Sequence, residues 1–230
     1  MHRPDPARIQ SMFASIARRY DRANTVLSGG IHHLWRRAAV RWSGVEPGDR
    51  VLDCATGTGD LAIAFRRAIG DKGEVVGIDF VPEMIELARR KSSDIRFEVA
   101  DVTALPFEDS SFDIASIAFG IRNVGDPRKG IREMARVLRP GGRVIVLEFG
   151  RPKRRAFGAA YDLYRTRVLP AIGGLITGQK RAYEYLDQSS VAFPHGEELA
   201  ALMRETADFS SVEFRALTFG IAYLYRGVKR

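Results

Sequence analysis

Cysteine is almost absent: Cys54 stands alone among 230 residues. An intrachain disulfide is excluded, as is a metal centre built on several thiolates, and a reducing compartment is the expected setting. Long apolar runs are missing too. The longest uncharged one, VLPAIGGLI at 168–176, falls far short of the roughly 20 residues that a membrane-spanning helix needs. The opening MHRPDPARIQ lacks the apolar stretch of a secretory signal. No internal repeat or low-complexity tract is present. With 45% hydrophobic residues the chain can bury a full core. The expectation is a soluble, cytoplasmic α/β chain of one domain with a covering part.

Acidic charge is scarce in two segments. Residues 1–45 hold eight Arg against two Asp, or +6, and residues 150–181 hold eight Lys or Arg against one Asp, or +7. Within a net charge of +8 the remainder is therefore −5. A basic excess confined in this way marks a surface that meets anions: phospholipid headgroups, nucleic acid or an acidic partner.

Residues 50–150 alternate between short β-branched runs and amphipathic helical patterns, the mark of βαβ units around a parallel sheet. RVLDCA (50–55), EVVGID (74–79), IRFEV (95–99), DIASIAF (113–119) and RVIVLEF (143–149) read as five strands. The helix after the fourth is the plainest. Asp126 caps it, Pro127 suits its first position, and Ile131, Met134 and Leu138 share one face. RPGG at 139–142 is expected to stop it and turn the chain into the fifth strand. A Tyr- and Arg-rich helical stretch over about 156–187 follows, then the short helix EELAALMRE, and SVEFRALTF and GIAYLYRGV form an antiparallel hairpin. The expected fold is α/β: a doubly wound, Rossmann-like sheet of the class I S-adenosylmethionine-dependent methyltransferase type, with that hairpin at its C-terminal edge. Residues 1–45 are expected as a helical lid, 46–230 as the methyltransferase domain, and about 151–195 as a helical insertion covering the substrate.

VLDCATGTGD, residues 51–60, runs from a strand ending in Asp53 through Gly57-Thr58-Gly59 into a helix. Glycines there let the backbone turn sharply and approach a ligand. Asp79, twenty-two residues after Gly57 at the tip of the second strand, is placed to accept bonds from two ribose hydroxyls. Gly57-x-Gly59-x-x-Ala62 also satisfies the loose dinucleotide fingerprint. Two features favour S-adenosylmethionine instead. Asp53 is unhelpful beside a pyrophosphate, and Asp101 in VADVTALPF adds a third acid at a strand tip. Three acids suit a ligand with two positive charges and no phosphate.

At the N-terminal end stands MFASIARRYDRANTVLSGGIHHLWRR. VLDCATGTGD, FGIRNVGDPRKGIREMARVLRPGG and LEFGRP occupy the middle, and YDLYRTRVLPAIGGLITG, YEYL and FPHGEEL follow. Together they resemble the ubiquinone/menaquinone-biosynthesis C-methyltransferases over nearly the whole length. The resemblance implies methyl transfer from S-adenosylmethionine to a ring carbon of a polyprenyl quinol. It implies cofactor contacts at Thr58, Asp79, Asp101 and Val102, with Phe80 beside Asp79, and a contact from Tyr20. Where relatives commonly show Asn-Ala this chain has Asp101–Val102, and where many carry Ser it has Ala118. No metal is required for such a transfer, and His32 and His33 are read as helix-surface residues without a further ligand at metal-binding spacing.

Arg122 and Asn123 end the apolar run IAFGIRN beyond the fourth strand, where ligands of open parallel sheets bind. An aromatic carbon is a weak nucleophile until a neighbouring hydroxyl ionises, and a phenol has a pKa of about 10. Arg122 has no lone pair to offer as a base. It is expected to stabilise the oxyanion, with Asn123 as second donor or water positioner. His33, Asp21 and Glu148 are the candidate proton acceptors. The basic segments then suit reversible docking on the anionic inner face of a membrane, at about 1 kcal/mol per basic residue. A second copy of the chain or a biosynthetic complex is a further candidate partner. Against a nucleic-acid substrate, strand 4 lacks the (Asn/Asp)-Pro-Pro-aromatic motif and no RNA-binding module is appended. A dehydrogenase rests only on the loose glycine pattern. A non-catalytic binding or scaffolding protein remains open through Ala118.

Overall fold

The computed structural model describes residues 5–152 and 155–230. Two helices come first, α1 (Pro6–Ser28) and α2 (Ile31–Ser43). The central unit follows as β1 (Arg50–Cys54), α3 (Asp60–Ile69), β2 (Glu74–Asp79), α4 (Pro82–Lys91), β3 (Arg96–Val99), β4 (Phe112–Ala118), α5 (Pro127–Arg136) and β5 (Leu138–Phe149). Then come α6 (Arg155–Leu163), a π-helical turn (Tyr164–Val168), α7 (Leu169–Thr177), α8 (Lys180–Ala192), α9 (Glu197–Thr206), β6 (Phe209–Leu217) and β7 (Ala222–Lys229). The seven strands lie in the order β3-β2-β1-β4-β5-β7-β6. β1 to β5 pair in parallel, and β7 runs antiparallel to both β5 and β6. This is the expected doubly wound sheet with its C-terminal hairpin.

Both faces of the parallel strands are covered, so adjacent residues enter different cores. Val51 packs with Trp35, Phe65 and Ile85 on the face of α2, α3 and α4. Its neighbour Leu52 packs with Met134, Leu199 and Tyr225 on the face of α5 and α9. Helix α2 thus contributes Trp35, Ala39 and Val40 to the main core. Helix α1 instead packs mainly against α7 and α4, across the C-terminal ends of the strands.

Two local expectations are corrected. Leu138 is not on the helix face: α5 ends at Arg136 and Leu138 pairs with Phe112 as the first residue of β5. RPGG is not a loop ahead of the strand. The register jumps from Phe112↔Leu138 to Ile114↔Arg143, so residues 139–142 bulge out opposite Asp113 inside β5. A proline without an N–H and Gly141 at φ 77 fit such a bulge, where no ladder bond is needed. The helical stretch expected at 156–187 is divided among α6, the π turn, α7 and α8.

Candidate functional site

Between β1 and α3 the chain reverses in a glycine turn, Gly57 at φ 57 and Gly59 at φ 86. The Gly57 N–H donates to Asp79 Oδ2 at 2.8 Å, and the Val81 N–H donates to Asp79 Oδ1 at 2.9 Å. Burial pushes the Asp79 carboxyl up to about 6, with the Val81 and Gly57 amides opposing. A cavity of about 360 Å³ opens here. Gly57, Asp79, Phe80, Asp101, Val102 and Ala118 line it, and so does Asn123. Three carboxylates, Asp79, Asp101 and Asp126, face a single cation, Lys129. That donor set suits a cationic nucleoside without phosphate, so the residues present fit S-adenosylmethionine.

Asp53, Thr58 and Gly59 stand off from this cavity. The Asp53 carboxylate is buried and accepts from Thr56 Oγ1 and Ser116 Oγ, each at 2.7 Å. Burial pushes it up to about 6, those hydroxyls opposing. Thr58 Oγ1 donates to Asp21 at 2.6 Å and accepts from Lys91 Nζ at 2.8 Å. Lys91 also meets Asp21 at 2.5 Å and Asp60 at 2.8 Å. The hydroxyl expected on the cofactor therefore ties α1 to the glycine turn. Gly59 packs where a Cβ would come within 3.0 Å of the Phe97 ring.

A second cavity, about 330 Å³, is walled mainly by apolar and aromatic side chains, among them Met12, Leu27, Trp35, Phe149, Tyr161 and Leu186. It meets the first at Phe13, Tyr20 and Phe119, which line both. Phe119 sits at φ 56, a region costly for a bulky side chain. Its N–H donates to Leu147 O at 2.7 Å, and its carbonyl accepts from Arg122 Nη1 at 2.6 Å. Its ring lies 4.5 Å from that of Phe149. Next to it Gly120 is required, since a Cβ there would fall 2.6 Å from the Ala55 Cβ.

The short 3-10 turn Ile121–Asn123 then places neighbours on opposite sides. Arg122 lines the apolar cavity and Asn123 the acidic one. Arg122 Nη1 also donates to Glu148 Oε1 at 2.8 Å, with the two side chains 4% and 1% exposed. The guanidinium carbon lies 5.3 Å from the centre of the Phe149 ring, and Nε is buried with no partner among the described residues. Asn123 Oδ1 accepts from Tyr185 Oη at 3.1 Å.

None of the three expected proton acceptors lines the apolar cavity. Glu148 is sealed against Arg122, Asp21 is held by Lys91, and His33 is exposed. His32, read from the sequence as a surface residue, is buried and lines the cavity instead. Helix phase was the signal that separates the pair, because buried Trp35 and Ala39 lie three and seven positions beyond His32. His32, His33 and Asp60 bring ligand-type atoms within 4.8 Å of one another, but Asp60 already faces Lys91 at 2.8 Å and Arg36 at 3.9 Å.

The family model of the ubiE/COQ5 methyltransferase family matches residues 1–229. The chain belongs to this family. It is 55% identical to a ubiquinone/menaquinone biosynthesis C-methyltransferase of Bdellovibrio bacteriovorus, over 98% of this chain and 97% of that protein. It is 50% identical to a demethylmenaquinone methyltransferase of Deinococcus radiodurans, over 96% and 92%. Among solved structures, a S-adenosylmethionine-dependent methyltransferase of Thermotoga maritima aligns with a TM-score of 0.68 at 22% identity, covering 96% of this chain and 99% of that one. A phosphoethanolamine N-methyltransferase of Haemonchus contortus, solved with S-adenosylmethionine, aligns at 0.61 and 17%, over 84% and 52%. The solved structures fix the fold as class I, and membership of the family makes S-adenosylmethionine the cofactor.

Asp79 then sets a pH dependence. Its carboxyl is raised to about 6 by burial, so its contribution to folding is largest in acid and is lost as pH rises through 6. Cofactor binding runs the other way, because ribose donors and a cationic ligand favour the ionised form. Calorimetry should show affinity weakening by up to about tenfold per pH unit below 6. Asp79→Asn should bind weakly with a nearly flat profile; a variant keeping the wild-type slope would remove Asp79 from this role.

Proposed function

We propose that this protein methylates a ring carbon of a reduced polyprenyl quinone, demethylmenaquinol or its benzoquinol counterpart, at the junction of the two cavities. The carrying observation is that an aromatic, apolar cavity meets an acidic one across Phe13, Tyr20 and Phe119. A planar quinol with an isoprenoid tail matches the first. When bound, S-adenosylmethionine supplies an electrophilic methyl on a sulfonium and leaves as the neutral thioether.

The chain's own residues divide the work. Asp79 and the glycine turn hold the nucleoside, and Asp101 and Val102 flank it. Tyr20 and Phe119 form the partition at which acceptor and methyl meet. Arg122, anchored by Glu148, lines the quinol cavity with a fixed guanidinium, suited to holding the ring oxygen as its hydroxyl gives up the proton. Asn123 holds Tyr185 from the cofactor side. An apolar wall with Arg36 and Arg122 as its only cations among the described residues disfavours a nucleic-acid substrate. Transfer of labelled methyl should reach carbon of one reduced quinol, offered beside bulk tRNA. Labelling of tRNA alone would contradict the reading.

The quinol's tail places the enzyme at a membrane. Among the described residues no helix is long and apolar enough to cross one. Leu163, Val168, Ile172 and Leu175 are instead exposed, Leu175 by 85%. Their spacings of five, four and three follow one helical face only because the π turn intervenes after Leu163. Tyr164 and Leu169 of the same segment line the quinol cavity. An apolar stripe in a segment of net charge +7 suits the surface of an anionic bilayer. Vesicles with anionic lipid should sediment the protein, less so in high salt, and Leu175→Asp should weaken the binding. Equal binding to neutral vesicles at every salt concentration would rule this surface out.

A further inference from the structure

As a ring carbon takes the methyl, the neighbouring hydroxyl must give up its proton, and the described residues of the quinol cavity offer few groups able to take it. Among the described residues no Asp or Glu lines it. Arg36 and Arg122 have no acceptor to offer. Burial pushes Tyr161 and Tyr183 up to about 12 and raises Tyr164 and Tyr185 as well, so none of these supplies a phenolate. Tyr20 carries the same phenolic group as the substrate and gives it no stronger acceptor. The hydroxyls and the amide on the wall are not basic. Among the described residues one side chain remains, His32.

His32 occupies the first turn of α2, after a reversal made by Gly29 and Gly30 at φ 57 and 79. Its Nδ1 lies 2.6 Å from Ser28 Oγ, which also accepts from the Gly30 N–H at 3.2 Å. Its ring packs 3.9 Å from the ring of exposed His33. Nε2 has no hydrogen-bond partner among the described residues. The charged groups that face it are Arg36 and His33 from its own helix, Asp60 from α3 and Asp21 from α1. Burial first, then Arg36 and His33, lower it to about 4, with Asp60 and Asp21 opposing. The imidazole is thus neutral throughout the physiological range.

We propose that His32 is the proton acceptor of the transfer, with Nδ1–H held by Ser28 and Nε2 receiving the hydroxyl proton of the quinol. This rests on the quinol reading above. The ring carbon's π pair forms the bond to the methyl, while the S–CH3 pair stays on sulfur. The O–H pair of the neighbouring hydroxyl becomes a C=O bond and its proton passes to Nε2. The tetrahedral ring carbon then loses its hydrogen to water as the carbonyl oxygen takes a proton back from His32. One proton leaves for each methyl transferred, and the imidazole ends neutral. Weak basicity is no obstacle, because a hydroxyl on a ring that is gaining a methyl cation becomes a protonated carbonyl, far more acidic than a phenol. The same weak basicity keeps the ring neutral, and the Nδ1–H held by Ser28 leaves the Nε2 lone pair free.

Two measurements on the full-length protein test this. Nitrogen-15 NMR of the unloaded wild type at neutral pH should show His32 as the Nδ1–H tautomer; an Nε2–H tautomer overturns the proposal. His32→Ala and His32→Gln should each lose about 10²-fold in kcat, with the affinity for S-adenosylhomocysteine changed by less than about threefold. Added imidazole should restore about a tenth of the lost rate to His32→Ala and nothing to His32→Gln, whose side chain fills the space. Retained turnover in either variant, a loss in His32→Ala that imidazole does not relieve, or a parallel loss of S-adenosylhomocysteine binding overturns it. A wild type that labels no quinol contradicts the functional reading itself, and this proposal with it.

Discussion

Arg122 and Glu148 form an ion pair 2.8 Å long with both side chains sealed from water, and the architecture of the site hangs on it. Taking two charges out of water is costly, and replacing such a pair with apolar groups is often neutral or stabilising. Its value here lies in position. The Arg122 nitrogen that meets Glu148 also holds the Phe119 carbonyl, and Phe119 carries a backbone conformation that a bulky residue seldom adopts. Released, that turn would relax, and the ring dividing the two cavities would move with it.

On either side of this turn the environments are opposite. Among the described residues the cofactor side holds three carboxylates and one lysine, and the segments at the tips of strands β1 to β4 supply it as the rule for open parallel sheets requires. The acceptor side is apolar and aromatic, built from helices α1, α2, α6, α7 and α8 laid over the strand ends. Low dielectric there strengthens each remaining dipole or charge. A few polar groups, the guanidinium of Arg122 and the imidazole of His32 among them, then suffice for chemistry that the apolar wall only positions.

Much of this was legible in the sequence. The five parallel strands follow from β-branched runs, and the glycine turn with Asp79 and Asp101 follows from their places at strand tips. What local pattern could not supply were contacts between distant segments. Leu138 kept its helical phase on paper, but pairing with Phe112 drew it into β5 and forced RPGG into a bulge. Thr58 lies in the legible glycine turn, but its bonds to Asp21 and Lys91, 37 and 33 residues away, were not readable there. Asp53 turned to Thr56 and Ser116 because a buried carboxylate takes the nearest donors. His32 and His33 were distinguishable by helix phase, and there the surface reading gave way to the buried one.

The most direct test of the central claim is a double-mutant cycle on the buried pair, following both unfolding free energy and methyl transfer. Arg122→Met and Glu148→Leu should each destabilise by about 3–5 kcal/mol, since either leaves an uncompensated buried charge. The double variant should recover most of that stability yet transfer methyl far more slowly than the wild type, showing that the pair serves geometry and charge at the junction. A double variant that folds stably and transfers methyl at the wild-type rate would contradict the account, reducing Arg122 and Glu148 to packing.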